Sequence, residues 1–200
     1  MIDIIGSLKK AWDLAIHPSK ATPMGIRDAL VFYYSFAIIP AIIVAIIGAI
    51  FGGISGAAIE LAIILIISPI SFFVEAALIQ LFGKSVFKKF TKPYPVTFTA
   101  VIIAAIPSTL FVWLSALTGG LAGILFEIWV IVLLTLAIMK LQKTSGLFAV
   151  LSWLIPAIIL FIIAIIVGAA LLTAIAPSFG GLGALQNGTL NSTYNITTTT

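Results

Sequence analysis

The sequence predicts an all-α polytopic membrane protein: five transmembrane helices preceded by an N-terminal amphipathic helix lying in the membrane interface. Three observations carry this. The 200 residues are 62% hydrophobic and only 8% charged, whereas a soluble domain carries about 25% charged residues. Mean hydropathy is +1.31, too high for a chain of this length to cover a soluble surface. The apolar residues fall into five runs near the roughly 20 residues that a spanning helix needs, separated by short Gly-, Pro- or Lys-bearing connections.

Residues 1–29 form the predicted cytoplasmic segment. Ile5, Leu8, Trp12 and Ile16 recur at spacings of three and four and share one helical face, while Lys9, Lys10 and Asp13 lie largely away from it. An apolar stripe with Trp and a basic flank fits an interfacial helix with Trp12 as a lipid contact. His17-Pro18 ends it, because the residue before proline avoids the helical region. The interleaved charges leave no uninterrupted apolar core of a signal peptide.

The five runs cover about residues 30–51, 56–82, 96–118, 121–141 and 147–176. Together, residues 30–176 make the expected transmembrane domain. Residues 52–55, 119–120 and 142–146 are the expected turns, and the second connection is the lysine loop, Lys84, Lys88, Lys89 and Lys92, closed by Pro93 and Pro95. The prolines Pro40, Pro69, Pro107 and Pro156 fall inside four runs. Each removes a backbone donor and bends its helix, with Ser68, Ser71, Ser108, Thr109 and Ser152 close enough to satisfy freed carbonyls. Gly48-x-x-x-Gly52 and Gly119-x-x-x-Gly123 permit close helix approach or mark turns.

Orientation follows from charge. Four cations precede the first run, four lie in the lysine loop, and Lys140 and Lys143 complete all ten. Alternate connections have none, which places the N-terminus in the cytoplasm and the C-terminus outside. Residues 177–200 read as a disordered Asn/Thr-rich extracytoplasmic tail. Its Asn187, Asn191 and Asn195 each begin an Asn-x-Thr/Ser acceptor for glycosylation, a pattern such a composition also generates unaided. Sequons on an Ile-rich chain suit an archaeal cell.

Three carboxylates fall inside runs: Glu60, Glu75 and Glu127. Intramembrane ionisable groups are functional candidates by default. Glu60, near the outer end of its run, can instead reach interfacial water, Glu127 lies deeper, and a polar contact at Glu75 that fixes helix packing is favoured over a functional one. Lys140 can reach Glu75 by extending its side chain. No cofactor is expected. A lone His17, no cysteine and no intramembrane Asp exclude the common dyads and zinc sites, and an enzyme is not expected. The cations flank spans, which points to anionic lipid on the cytoplasmic face rather than nucleic acid.

In this order the chain resembles the Yip family, five-span membrane proteins that interact with Ypt/Rab GTPases, in its prokaryotic or archaeal branch. The resemblance is carried by Trp12 with Pro18, by Ala-Leu-Ile-Gln-Leu-Phe-Gly-Lys at residues 77–84, by Ile106-Pro107, by Ile128-Trp129, and by Met139-Lys140 followed by Ser145. It covers about residues 8–172. The long cytosolic domain of eukaryotic members, with acidic and tyrosine-containing motifs, has no counterpart in these residues. The resemblance implies a trafficking-related scaffold that shapes membrane or binds a membrane-protein partner or a second copy. The alternative is a small channel or transporter using the intramembrane glutamates. Against that alternative, five spans do not divide into two equal repeats.

Overall fold

In the computed structural model, the described residues are 4–118, 120–163 and 165–167. The chain divides into two compact units, Met1–Pro156 and Ala157–Thr200. The described residues contain helices and no strands. The acceptor asparagines Asn187, Asn191 and Asn195 lie outside them.

Helix α1 (Ile4–Ile16) opens the first unit. A short 3₁₀ turn at Pro18–Lys20 leads to an apolar helical stretch, Ile26–Val86. Its 61 residues would extend about 90 Å if straight, three times the hydrocarbon thickness of about 30 Å. It is not straight. Gly53 takes φ 65 inside α2 (Ile26–Ala62), a conformation that L side chains rarely adopt. Beyond it the chain folds back, so that Gly56 lies against the backbone of Gly48 and the ring of Phe72 stands 5.3 Å from that of Tyr33. The expected turn at residues 52–55 thus shrinks to one residue. Of the two roles open to Gly48-x-x-x-Gly52, the turn fits, since the chain breaks at Gly53. The close approach is made by Gly48 against Gly56, with nothing within 4 Å of where a Gly52 Cβ would be.

The second arm changes pitch twice. Residues Ile63–Ile67 widen to a π-helical turn before α3 (Ser68–Gln80), and Leu81–Val86 widen again. The first widening adjoins Pro69. Proline cannot donate, so the carbonyls of Leu65 (helical register) and Ile64 (π register) lose their backbone partner. The expected serines do not satisfy them: Ser68 Oγ donates to Ile63 O and Ser71 Oγ to Ser68 O. The first arm does. Tyr33 donates its hydroxyl to Ile64 O at 2.7 Å and Tyr34 to Leu65 O at 3.1 Å.

The third run, expected as one helix over 96–118, is three: α4 (Tyr94–Ala104), α5 (Ile106–Leu110) and α6 (Val112–Leu117). Pro107 leaves the ladder interrupted at Ala105, and Phe111, at φ −111 and ψ 14, interrupts it again. Every residue from 96 to 107 is buried, because α1, α2, α3 and α7 all pack against α4. A helix covered on every side needs no amphipathic pattern, and Val96–Ile106 shows none.

Gly120 at φ 92 and the Thr118 hydroxyl, which accepts the Ala122 N–H at 3.1 Å, start α7 (Leu121–Gln142). Lys143 ends it in the left-handed region. Helix α8 (Gly146–Val167) follows. Ile26–Val86, Leu121–Gln142 and Gly146–Val167 are long and apolar enough to cross a membrane, and Tyr94–Ala104 is equally apolar but shorter. In the second unit, residues 157–163 and 165–167 are helical and exposed.

Candidate functional site: the lysine-bearing end

Three polar side chains are buried where α3, α4 and α7 meet. Gln142 and Thr97 have no exposed surface, and Gln80 is nearly enclosed. They satisfy one another. Thr97 donates its hydroxyl to Gln80 Oε1. The Gln142 amide donates to Thr97 Oγ1 at 2.8 Å and to Gln80 Oε1 at 3.3 Å. The remaining groups of the two glutamines grip one backbone residue from both sides: Gln80 Nε2 donates to Lys92 O at 3.0 Å, and Lys92 N–H donates to Gln142 Oε1 at 3.1 Å. A buried amide without a partner costs about 1–3 kcal/mol. A closed set of this kind therefore fixes the helix ends and the loop together.

The loop between α3 and α4 is shaped from within. Gly83 O accepts the N–H groups of Lys89 at 2.9 Å and Phe90 at 3.0 Å. The buried Phe90 ring lies on Gly83, where a Cβ would meet it at 2.4 Å. Lys88 adopts φ 56, a strained value for a side chain. Lys89 Nζ stands 5.0 Å above the Phe148 ring. Lys84, Lys88 and Lys89 are exposed, and Lys92 is half-buried. The four expected lipid-contact lysines thus share one folded loop.

Helix α1 docks by a face other than its apolar stripe, which was expected in lipid. Ala11, Leu14 and Ala15 face the core, whereas Ile5, Trp12 and Ile16 are exposed. The small alanines allow the closer approach that large side chains prevent. Trp12 still touches neighbours at its edges, with Phe111 at 6.1 Å and Trp129 at 6.5 Å between ring centres. Trp129 donates to Ala15 O at 3.3 Å. Past α1, the Met24 N–H is bonded to Thr99 Oγ1 at 3.1 Å, which ties the entry of the first arm to α4.

Asp13 receives Lys20 Nζ at 2.7 Å and His17 Nδ1 at 3.1 Å. The hydrogen bond from Lys20 holds the Asp13 carboxyl below its usual value. Partial desolvation opposes this, and His17 adds to the lowering. Between this segment and α7 lies a cleft of about 450 Å³. Ile16, Leu136 and Met139 give it an apolar wall, and His17, Lys140 and Thr144 give it a polar one.

The intramembrane carboxylates lie elsewhere. Glu60 packs against Gly48 in the hairpin. Glu75 and Glu127 are exposed on the bundle surface. The expected Lys140–Glu75 pair is not made: among the described residues the ion pairs are those of Asp13. The structure brings Lys84, Lys88, Lys89 and Lys92 together at one end, and sets Trp12 away from them, against Phe111 and Trp129. It leaves Glu60 apart.

Gln142 and Thr97 carry the site, although Gln142 was expected in a turn and Thr97 had no expected role. The available signal was that each is a polar residue at the end of an apolar run on the lysine side, as Gln80 is. Compared with family models, with curated proteins and with solved structures, the chain matches none.

Proposed function

We propose that this chain is a non-enzymatic five-span membrane protein of the Yip type, a scaffold that presents a set lysine surface to the cytoplasmic leaflet. The N-terminus and the lysine loop are cytoplasmic. The C-terminal tail, with Asn187, Asn191 and Asn195 as glycosylation acceptors of an archaeal type, is outside. Helix α1 lies at the interface with Ile5, Trp12 and Ile16 in lipid. The five crossings are the two arms that meet at Gly53, the broken run α4 to α6, α7 and α8.

One observation carries this reading: Lys92 is held through both its N–H and its carbonyl by buried glutamines from two helices. Connecting loops are ordinarily mobile. A loop fixed in this way holds its lysines in one arrangement, which suits repeated contact with a charged surface rather than solvation alone. Each lysine near an anionic surface contributes about 1 kcal/mol. Replacing Lys84, Lys88, Lys89 and Lys92 with Gln should shift the chain out of the bound fraction in flotation with anionic vesicles, and leave neutral vesicles unaffected. An unchanged profile would sink the proposal.

A further inference from the structure

We infer that the cleft between α1 and α7 is a binding site for a single anionic phospholipid, separate from the lysine loop. This rests on the cytoplasmic orientation given above. The cleft holds two chemistries side by side. Lys140, His17 and Thr144 offer a cation, a ring nitrogen and a hydroxyl, and Ile16, Leu136 and Met139 offer an apolar wall. Its volume of about 450 Å³ falls in the range of pockets that take one small-molecule group, roughly 300–1,000 Å³.

The charge fits an anion. Lys140 is exposed and, among the described residues, has no ion pair. The nearby carboxylate of Asp13 is already engaged by Lys20 and His17, so its charge is largely offset. His17 uses Nδ1 in that contact, which leaves Nε2 as the other ring position.

The direction of the apolar wall selects a lipid over a free phosphate. Lys140, Leu136, Val132, Ile128 and Ile124 follow one another at intervals of four, which places them on one ridge of α7. All five are exposed. From Lys140 to Ile128 the ridge rises about 18 Å, close to the roughly 15 Å depth of one leaflet. A cation at the foot of an uncovered apolar ridge matches an acyl chain with a phosphate at its head. Exposed apolar residues also run along α3 towards the lysine loop, at Ile70, Val74 and Leu81. What sets Lys140 apart is the cleft beside it, whereas under the lysine loop the Phe90 ring lies on Gly83.

The test is to reconstitute the full chain in phosphatidylcholine vesicles with a minor share of phosphatidylglycerol, extract it in mild detergent and count retained phosphatidylglycerol by native mass spectrometry. The expected result is one retained per chain. Lys140→Gln should lower retention about fivefold, the loss of one lipid-facing cation. Leu136→Trp, which closes the cleft without changing charge, should lower it similarly. The Lys84, Lys88, Lys89 and Lys92 quadruple Gln variant should retain it. Wild-type retention in both cleft variants, with melting temperatures unchanged, would overturn the site. So would loss of retention in the quadruple variant alone, or full displacement by inorganic phosphate. Maleimide labelling of Lys143→Cys distinguishes the two readings: labelling from the outer side would overturn the orientation, and lipid loss confined to the cleft variants would still support the site.

Discussion

The two ends of the helical bundle are held by different chemistry. At the lysine-bearing end, side chains bond across elements far apart in sequence: Gln142 to Lys92, Gln80 to Thr97, Thr99 to Met24. At the opposite end, the bonds are local. Ser55 donates to Gly52 O, Thr118 donates to Leu114 O, and Gly120 donates to Ser115 O. Close approach there depends on Gly48 and Gly56. The difference teaches where the fold is specified. One end is fixed by directional contacts that few sequences could supply. The other is closed by small residues and turn conformations that many could.

The strongest way to break this contrast is Gln142→Leu. It removes the partner of the Lys92 N–H and two donors to Thr97 and Gln80, and should cost about 3 kcal/mol. Thermal unfolding in detergent checks the size, and protease cleavage at the lysine loop should rise with it. A loop as protected as in the wild type would show that the end is held by apolar packing alone. Gly56→Ala is the matching change at the other end. Its Cβ would meet Gly48 O at 2.4 Å, and backbone cannot step aside as a side chain can, so the arms must part at a cost of about 2 kcal/mol. The effect should stay local, with cleavage at the lysine loop unchanged. Coupled loosening of both ends would remove the distinction between them.

Asp13→Asn gives the smallest effect, since Asp13 is exposed and its partners are solvated. Its carboxyl is held below its unfolded value of 3.8. The contribution is therefore present above that value and is lost as pH falls through the lower folded value. The variant should melt slightly below the wild type at neutral pH, and the two curves should converge in acid. A gap that persists in acid would assign the effect to something other than the carboxylate charge.

These contrasts also mark what the sequence made legible. The glycine and proline breaks were readable because they act through the backbone of their own residue: Gly53 needs its positive φ, and Pro107 lacks a donor wherever it lies. The lysine loop was readable from charge. The rest depends on partners the chain brings together only in three dimensions. Fifty positions separate Lys92 from Gln142, and a lone glutamine at a helix end carries no sign of what it will meet. The docking face of α1 was hidden for a related reason. The large apolar stripe was assigned to lipid, and Ile5, Trp12 and Ile16 are exposed, while Ala11 and Ala15, which let the helices come close, carry no signal of contact in the sequence.

The paired tyrosines of the first arm have a consequence for biogenesis. Alone in hydrocarbon, the second arm would carry two carbonyls at Ile64 and Leu65 with no donor, a cost of several kcal/mol each. Tyr33 and Tyr34 are synthesised before those carbonyls and are in place when they arrive. If the two arms are two spans, as proposed, the first would act as an internal chaperone for the second, and the pair would enter the bilayer as one hairpin.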